Sequence, residues 1–181
     1  MALKQVRIHG RGGQGAVTTA ELIAEAAFID GKESQAFPFF GVARTGAPVT
    51  AFARISDKFV RLREQVRKPD YVIVLDPTLV ADVNIAEGVS KDGIILINSR
   101  KTKKELGLDT SAKVMCLDVT KISMEVIGAP FVNTAMLGAF AKATGEISLD
   151  SLIKAVKGKL SEKVASKNID AIKRTYGELK L

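Results

Sequence analysis

The sequence predicts an α/β domain: a three-layer α/β/α sandwich built on a mostly parallel sheet with an antiparallel edge hairpin. Three observations carry that prediction. Two near-continuous apolar runs, Tyr71-Val72-Ile73-Val74-Leu75 and Ile94-Ile95-Leu96-Ile97, have the character of strands buried on both faces. Stretches with apolar residues at helical spacing alternate with the strand-like runs. A glycine-rich turn, Gly10-Arg11-Gly12-Gly13-Gln14-Gly15, joins the first strand directly to the first helix.

The elements follow in order. Gln5–His9 alternates apolar and polar residues and reads as a strand. After the turn, Leu22, Ile23, Ala26 and Ala27 sit at helical spacing in a helix from about Gln14 to Ile29, which Gly31 stops. A short strand, Glu33–Phe37, leads into Phe37-Pro38-Phe39-Phe40-Gly41-Val42-Ala43-Arg44-Thr45-Gly46-Ala47-Pro48. Its prolines and glycines predict a long loop, with Phe39 and Phe40 free to tuck beneath it. Val49–Ile55 reads as a strand and Phe59–Leu62 as its short returning partner across Ser56-Asp57-Lys58, the predicted antiparallel hairpin.

Tyr71–Leu75 ends at Asp76-Pro77, which suits a helix cap followed by a proline in the first turn of a short helix, Thr78–Asn84. Ile94–Asn98 is the next strand, and Lys101 to Lys104 beyond it read as a solvated helix start. Lys113–Leu117 is a further strand; Cys116 inside it reads as a small buried apolar residue, not a nucleophile. Asp118 opens a helix to about Ile127. A second helix starts near Asn133, with Asn133 or its neighbour as cap, and Ser148 caps a third over Leu149–Leu160. The last helix, Ser161–Leu179, is amphipathic and rich in lysine.

Composition bounds the function. At 181 residues and 46% hydrophobic, the chain is expected to form one domain, 1–181, with a sizeable core. No run approaches the ~20 apolar residues of a membrane span. The N-terminal residues run straight into a strand without an apolar signal segment, so a cytoplasmic location is expected and no membrane partner. A single cysteine, Cys116, excludes an internal disulfide and a four-thiolate iron–sulfur cluster on this chain alone. With His9 the only histidine, a Cys/His zinc site is excluded too. The formal charge of +7 permits nucleic acid, phosphorylated ligands or an acidic protein as partner. The lysines are scattered, and two tyrosines without tryptophan supply little for stacking bases, so no nucleic acid is expected.

The turn at Gly10, Gly12 and Gly15 has the G-x-G-x-x-G spacing of a dinucleotide site, and its backbone amides at a helix start make a seat for a phosphate or carboxylate. A stand-alone NAD(P)-dependent oxidoreductase needs an acid at the end of the second strand; Glu33–Phe37 ends without one, and Asp30 precedes that strand. The glycines also fit a tight turn made only for close helix–strand packing. Arg44, flanked by Gly41 and Gly46, suits a carboxylate, a phosphate or a partner's acidic group. His9, beside Gly10, is either structural or part of that rim.

Two segments together, His9-Gly10-Arg11-Gly12-Gly13-Gln14-Gly15-Ala16-Val17 and Ala36-Phe37-Pro38-Phe39-Phe40-Gly41-Val42-Ala43-Arg44-Thr45-Gly46-Ala47-Pro48-Val49, closely resemble the gamma subunit of 2-oxoacid:ferredoxin oxidoreductases. Asn133-Thr134-Ala135-Met136-Leu137-Gly138-Ala139 is similar to the family's helix start. The pyruvate enzymes resemble it most, then the ketoisovalerate enzymes. The resemblance implies a complex that converts pyruvate or another 2-oxoacid and coenzyme A to an acyl-CoA and CO₂ and reduces ferredoxin. It implies alpha, beta and delta subunits as partners, with thiamine diphosphate, Mg and [4Fe-4S] clusters held by them and none by this chain. Its implied role for this chain is to cover the active site without doing the covalent chemistry. Gly12, Gly13, Gln14, Gly15, Arg44 and Gly46 are then the candidate contacts to CoA or to a partner subunit.

Overall fold

A computed structural model describes residues 3–39, 45–62 and 64–181. Its centre is a six-stranded sheet of β1 (Lys4–Arg11), β2 (Glu33–Phe39), β3 (Pro48–Ser56), β4 (Tyr71–Val74), β5 (Ile94–Asn98) and β6 (Lys113–Leu117), in the order β2-β3-β1-β4-β5-β6. The pairs β1–β4, β4–β5 and β5–β6 are parallel, whereas β3 runs antiparallel to both neighbours, β1 and β2. The predicted class therefore holds, but the antiparallel part is assembled differently. β3 pairs with β2 and β1, and residues 59–62 form no strand.

Alternation along the strands sends side chains to two cores. Val6, Ile8, Ile73, Leu96 and Met115 face the helices α1 (Ala16–Ile29), α3 (Val119–Val126), α4 (Val132–Thr144), α5 (Leu149–Lys159) and α6 (Glu162–Glu178). Val72, Val74, Ile95 and Ile97 face the other way, onto α2 (Leu79–Asp82), Ile85 and Ala112. That second covering layer is one short helix and irregular chain. α4 is buried over most of its length, packed between β5 of the sheet and α6. The helix caps follow the sequence in two cases: Asp118 accepts from Lys121 N and Ser148 from Ser151 N. Asn133 is no cap; α4 starts at Val132, and its N-cap is Phe131, two residues before Asn133.

Two further expectations are corrected. β2 continues through Pro38 to Phe39, because β2 is the edge strand and an edge proline forfeits no ladder bond on its open side. Phe39 there is 45% exposed and does not tuck into the core. Residues 101–107 form turns, not a helix start: Thr102 Oγ1 and N both donate to Glu105, closing a single turn. Phe40 and Arg44 lie outside the described residues.

Candidate functional site: the glycine turn and its two clefts

β1 ends at Arg11, and the chain turns through Gly12–Gly15 into α1. Gly15 is left-handed, with φ 79° and ψ 29°, a conformation that other residues adopt only with strain. It also lies against the first turn of α4: a Cβ here would stand 2.5 Å from Asn133 Nδ2 and 3.2 Å from Asn133 Cβ. Gly13 is left-handed as well, at φ 93°, but a Cβ on it would meet nothing within 4 Å. Gly13 thus serves the turn's shape, and Gly15 serves both shape and close packing.

The turn is held from three directions. Gln14 N donates to Arg11 O at 2.9 Å, and Gln14 Oε1 accepts from Arg11 N at 2.7 Å. Gln14 Nε2 donates to Asp76 Oδ2 at 2.7 Å, tying the turn to the end of β4. Gly12 N donates to Ala47 O at 2.9 Å and Gly46 N to Gly12 O at 3.1 Å, so the β1–β3 pairing runs on into the turn.

Arg11 completes the frame. Its Nη2 donates to Thr78 Oγ1 and to Asp82 Oδ2, each at 2.6 Å, and its Nη1 to Gly46 O at 3.3 Å. Its Nε lies 3.5 Å from Asp76 Oδ2. Asp76 is not the expected helix cap: α2 starts at Leu79 with Thr78 as its N-cap, and Asp76 braces the turn before it. Its Oδ1 accepts from Thr78 N and Oγ1, while its Oδ2 takes Gln14. Burial acts to raise the Asp76 pKa, but the Thr78 and Gln14 hydrogen bonds and the Arg11 charge outweigh it and hold it below the ordinary carboxylate range.

Two clefts flank this turn at the carboxyl ends of the strands. One, of about 440 Å³, lies between Gly12, Gly13, Val17, Phe39 and Thr45. The other, of about 590 Å³, lies between Gln14, Asp76, Asn98, Phe131 and Asn133. The N–H groups of the first turn of α1 have no intrahelical acceptor, and Ala16 and Val17 line the first cleft. Such a cleft can seat an anion on backbone amides; among the described residues that line it, none pairs a nucleophile with a base.

Of the residues singled out in the sequence, Gly12, Gly13, Gln14, Gly15 and Gly46 meet here. Asp30 does not: at the far end of α1, its carboxylate accepts from Ser148 N, Ser148 Oγ and Ser151 Oγ. The inserted β3 also separates β2 from β1, and the end of β2 that reaches the first cleft offers Pro38 and Phe39, with no carboxylate for a ribose. The contacts of Arg11 with Thr78 and Asp82, and of Asn133 with Gly15, escape sequence reasoning, since each joins groups far apart along the chain. Among the described residues, no three His, Cys, Asp or Glu side chains cluster to hold a metal, and no helix is long and apolar enough to cross a membrane. Cys116 is half-buried in β6, and burial pushes its thiol pKa up, away from the reactive thiolate.

His9 is structural. It is buried on the opposite sheet face, and its Nε2 accepts from Arg7 Nε at 3.1 Å. Burial, and then the Arg7 charge, push its pKa from 6.5 down to about 4. Between those values the unfolded chain binds a proton that the folded one does not. Stability is therefore full above pH 6.5 and falls as the pH drops toward 4, by up to about 3 kcal/mol. Urea unfolding at pH 7 and pH 5 should show this loss in the wild type and a smaller one in His9→Gln. Equal losses in both would remove His9 as the cause.

Comparison with known proteins places this architecture. The sequence matches the family model of pyruvate ferredoxin/flavodoxin oxidoreductase over residues 5–178. It is 57% identical over 155 residues to the pyruvate synthase subunit PorC of Methanosarcina barkeri, covering 86% of this chain and 85% of that protein. It is 49% identical over 175 residues to the pyruvate/ketoisovalerate oxidoreductases common subunit gamma of Pyrococcus abyssi, covering 95% of each. Its fold matches the crystal structure of the pyruvate oxidoreductase subunit PORC of Thermotoga maritima with a TM-score of 0.87 at 39% identity, over 99% of this chain and 98% of that one. The chain thus belongs to the pyruvate ferredoxin/flavodoxin oxidoreductase family, as a gamma-type subunit.

Proposed function

We propose that this subunit covers an active site held by alpha, beta and delta partner subunits in the cytoplasm and helps seat coenzyme A there. The complex converts pyruvate and CoA to acetyl-CoA and CO₂, and the two electrons released pass to ferredoxin. Thiamine diphosphate, Mg and the [4Fe-4S] clusters reside in the partners, and this chain is inactive alone. Gly12, Gly13, Gln14, Gly15, Arg44 and Gly46 form the contact set. The observation that carries the reading is the pre-locked turn. Gln14, Arg11 and the Gly12–Gly46 pairing fix it, while the first-turn amides of α1 stay open to the cleft. A frame rigid before binding loses little entropy when a phosphate settles on it. Its contribution is positioning and exclusion of water.

The test is Arg44→Ala in the assembled complex. Losing one charge-assisted contact is expected to raise the apparent KM for CoA about tenfold, with kcat nearly unchanged. An unchanged KM in an intact complex refutes the CoA role. Dissociation of the complex on gel filtration assigns the residue to subunit assembly instead. One observation favours a broader substrate range: the Pyrococcus abyssi relative is named as common to pyruvate and ketoisovalerate oxidoreductases. A gamma subunit of that kind leaves the choice of oxoacid to its partners, so exchanging it should not alter oxoacid preference.

A further inference from the structure

Arg7 sits in the middle of β1, on the sheet face away from the large helices, opposite Phe52 of β3. It is only 7% exposed. A buried guanidinium normally has a carboxylate partner, because desolvating a lone charge is costly. Arg7 has none within ion-pair distance among the described residues. Its Nε donates to His9 Nε2 at 3.1 Å, and its Nη2 to Ile85 O at 3.1 Å and Glu87 O at 2.6 Å. All three acceptors are neutral. Nη1 finds no protein acceptor among the described residues and is not itself buried, so it faces the open space of the cavity.

The same side chain lines a cavity of about 470 Å³ with His9, Thr50, Phe52, Gln65 and Arg67. Among the described residues Glu87, exposed, is the only carboxylate on its wall, against Arg7 and Arg67; its charge offsets part of the burial cost without pairing with Arg7. The cavity meets the first cleft along Phe39, Val49 and Thr50. His9 fixes the guanidinium by occupying Nε, which turns a floppy cation into an aimed one.

We infer that this cavity is an oxyanion site, which takes a carboxylate or a group of similar size on the free Nη1 of Arg7, with Arg67 at its wall. With Nε and Nη2 already engaged, the contact is single-ended, not the two-pronged fork of an open arginine. The anion comes either free from solution or as an Asp or Glu side chain of a partner subunit. The site stands on Arg7 and its cavity, independent of the CoA reading.

Side-chain ¹⁵N–¹H resonances of the arginines in the full chain distinguish these sources. The chain is titrated with sodium acetate and with sodium sulfate, against sodium chloride at constant ionic strength. Arg7→Lys identifies the Arg7 signal, and the surface Arg174 serves as internal control. A saturable shift at Arg7 alone, about fivefold weaker in Arg67→Gln, assigns the site to a free oxyanion. If the isolated chain does not respond, Arg7→Gln and Arg67→Gln chains are mixed with the other subunits. Assembly weakened about tenfold by Arg7→Gln, and less by Arg67→Gln, assigns it to a partner carboxylate. Arg67 is exposed, so its variant keeps the test valid if Arg7→Gln fails to fold. No shift together with unchanged assembly in Arg67→Gln overturns the inference, as does a shift that neither Arg7→Lys nor Arg67→Gln alters.

Discussion

Gly138→Ala is expected to cost about 3 kcal/mol or more of folding stability, one of the largest single-residue effects in this chain. α4 runs through the centre of the helical layer, and at Gly138 its backbone meets α6 without a side chain between. An added Cβ would overlap the carbonyl oxygen of Ile172 and the hydroxyl of Thr175. A backbone carbonyl cannot swing aside as a side-chain tip can, so the two helices must separate. Separation breaks the bond from Thr175 Oγ1 to Ala135 O, 2.6 Å long, and loosens the packing of Ala171 and Ile172. Dense cores lose contact energy steeply over such shifts. Urea unfolding measures the loss. Gly177→Ala is the control: it lies in α6 with nothing within 4 Å of its Cβ position and should gain roughly 0.5 kcal/mol. A loss below 1 kcal/mol at Gly138 would mean that the helices part freely.

Arg54→Met should be nearly as damaging, at about 3 kcal/mol, and should loosen the chain that follows β3. Arg54 is fully buried. Lateral pairing puts Gln5 of β1 and Gln35 of β2 on either side of it, and the guanidinium donates to both, at 3.2 and 3.3 Å. It also donates to Leu62 O at 3.2 Å and Glu64 O at 2.5 Å, and lies 4.9 Å from the Phe37 ring centroid. Burial pulls its pKa down, and the nearby Glu64 charge works against that. Methionine fills much of the space but leaves four oxygens without their donor. Lysine is no remedy, since a single ammonium cannot serve acceptors on two strands and a loop. Faster proteolysis beside Leu62, together with a lower urea midpoint, is the expected signature; an unaltered cleavage rate would show that other contacts hold the segment.

Arg54 also shows why part of the fold was hidden. Phe59–Leu62 has the apolar content of a returning strand, yet its last carbonyl, Leu62 O, is claimed by an arginine that also holds Glu64 O and side chains of β1 and β2. Local pattern cannot foresee that competition. Pro38 misleads in the same way. A proline ends a strand only where both edges are paired, and whether β2 is an edge depends on the order of the whole sheet. The buried strands β4 and β5 and the caps Asp118 and Ser148 were legible because their signals are short-range: apolar continuity, and an acceptor side chain three residues from the amide it serves.

Read alone, the residues of this chain were enough to announce an α/β sheet, a glycine turn poised at a helix start, and a likeness to oxidoreductase gamma subunits. Each of these is written within a few neighbouring positions. The latch of Arg11 on Thr78, Asp82 and Gly46, the tie from Gln14 to Asp76 and the buried guanidinium of Arg7 came only with the packed molecule. They join groups as far as 80 residues apart, as Arg7 and Glu87 are. Such meetings are set by strand order and by the insertion of β3 between β1 and β2, and no local periodicity encodes them.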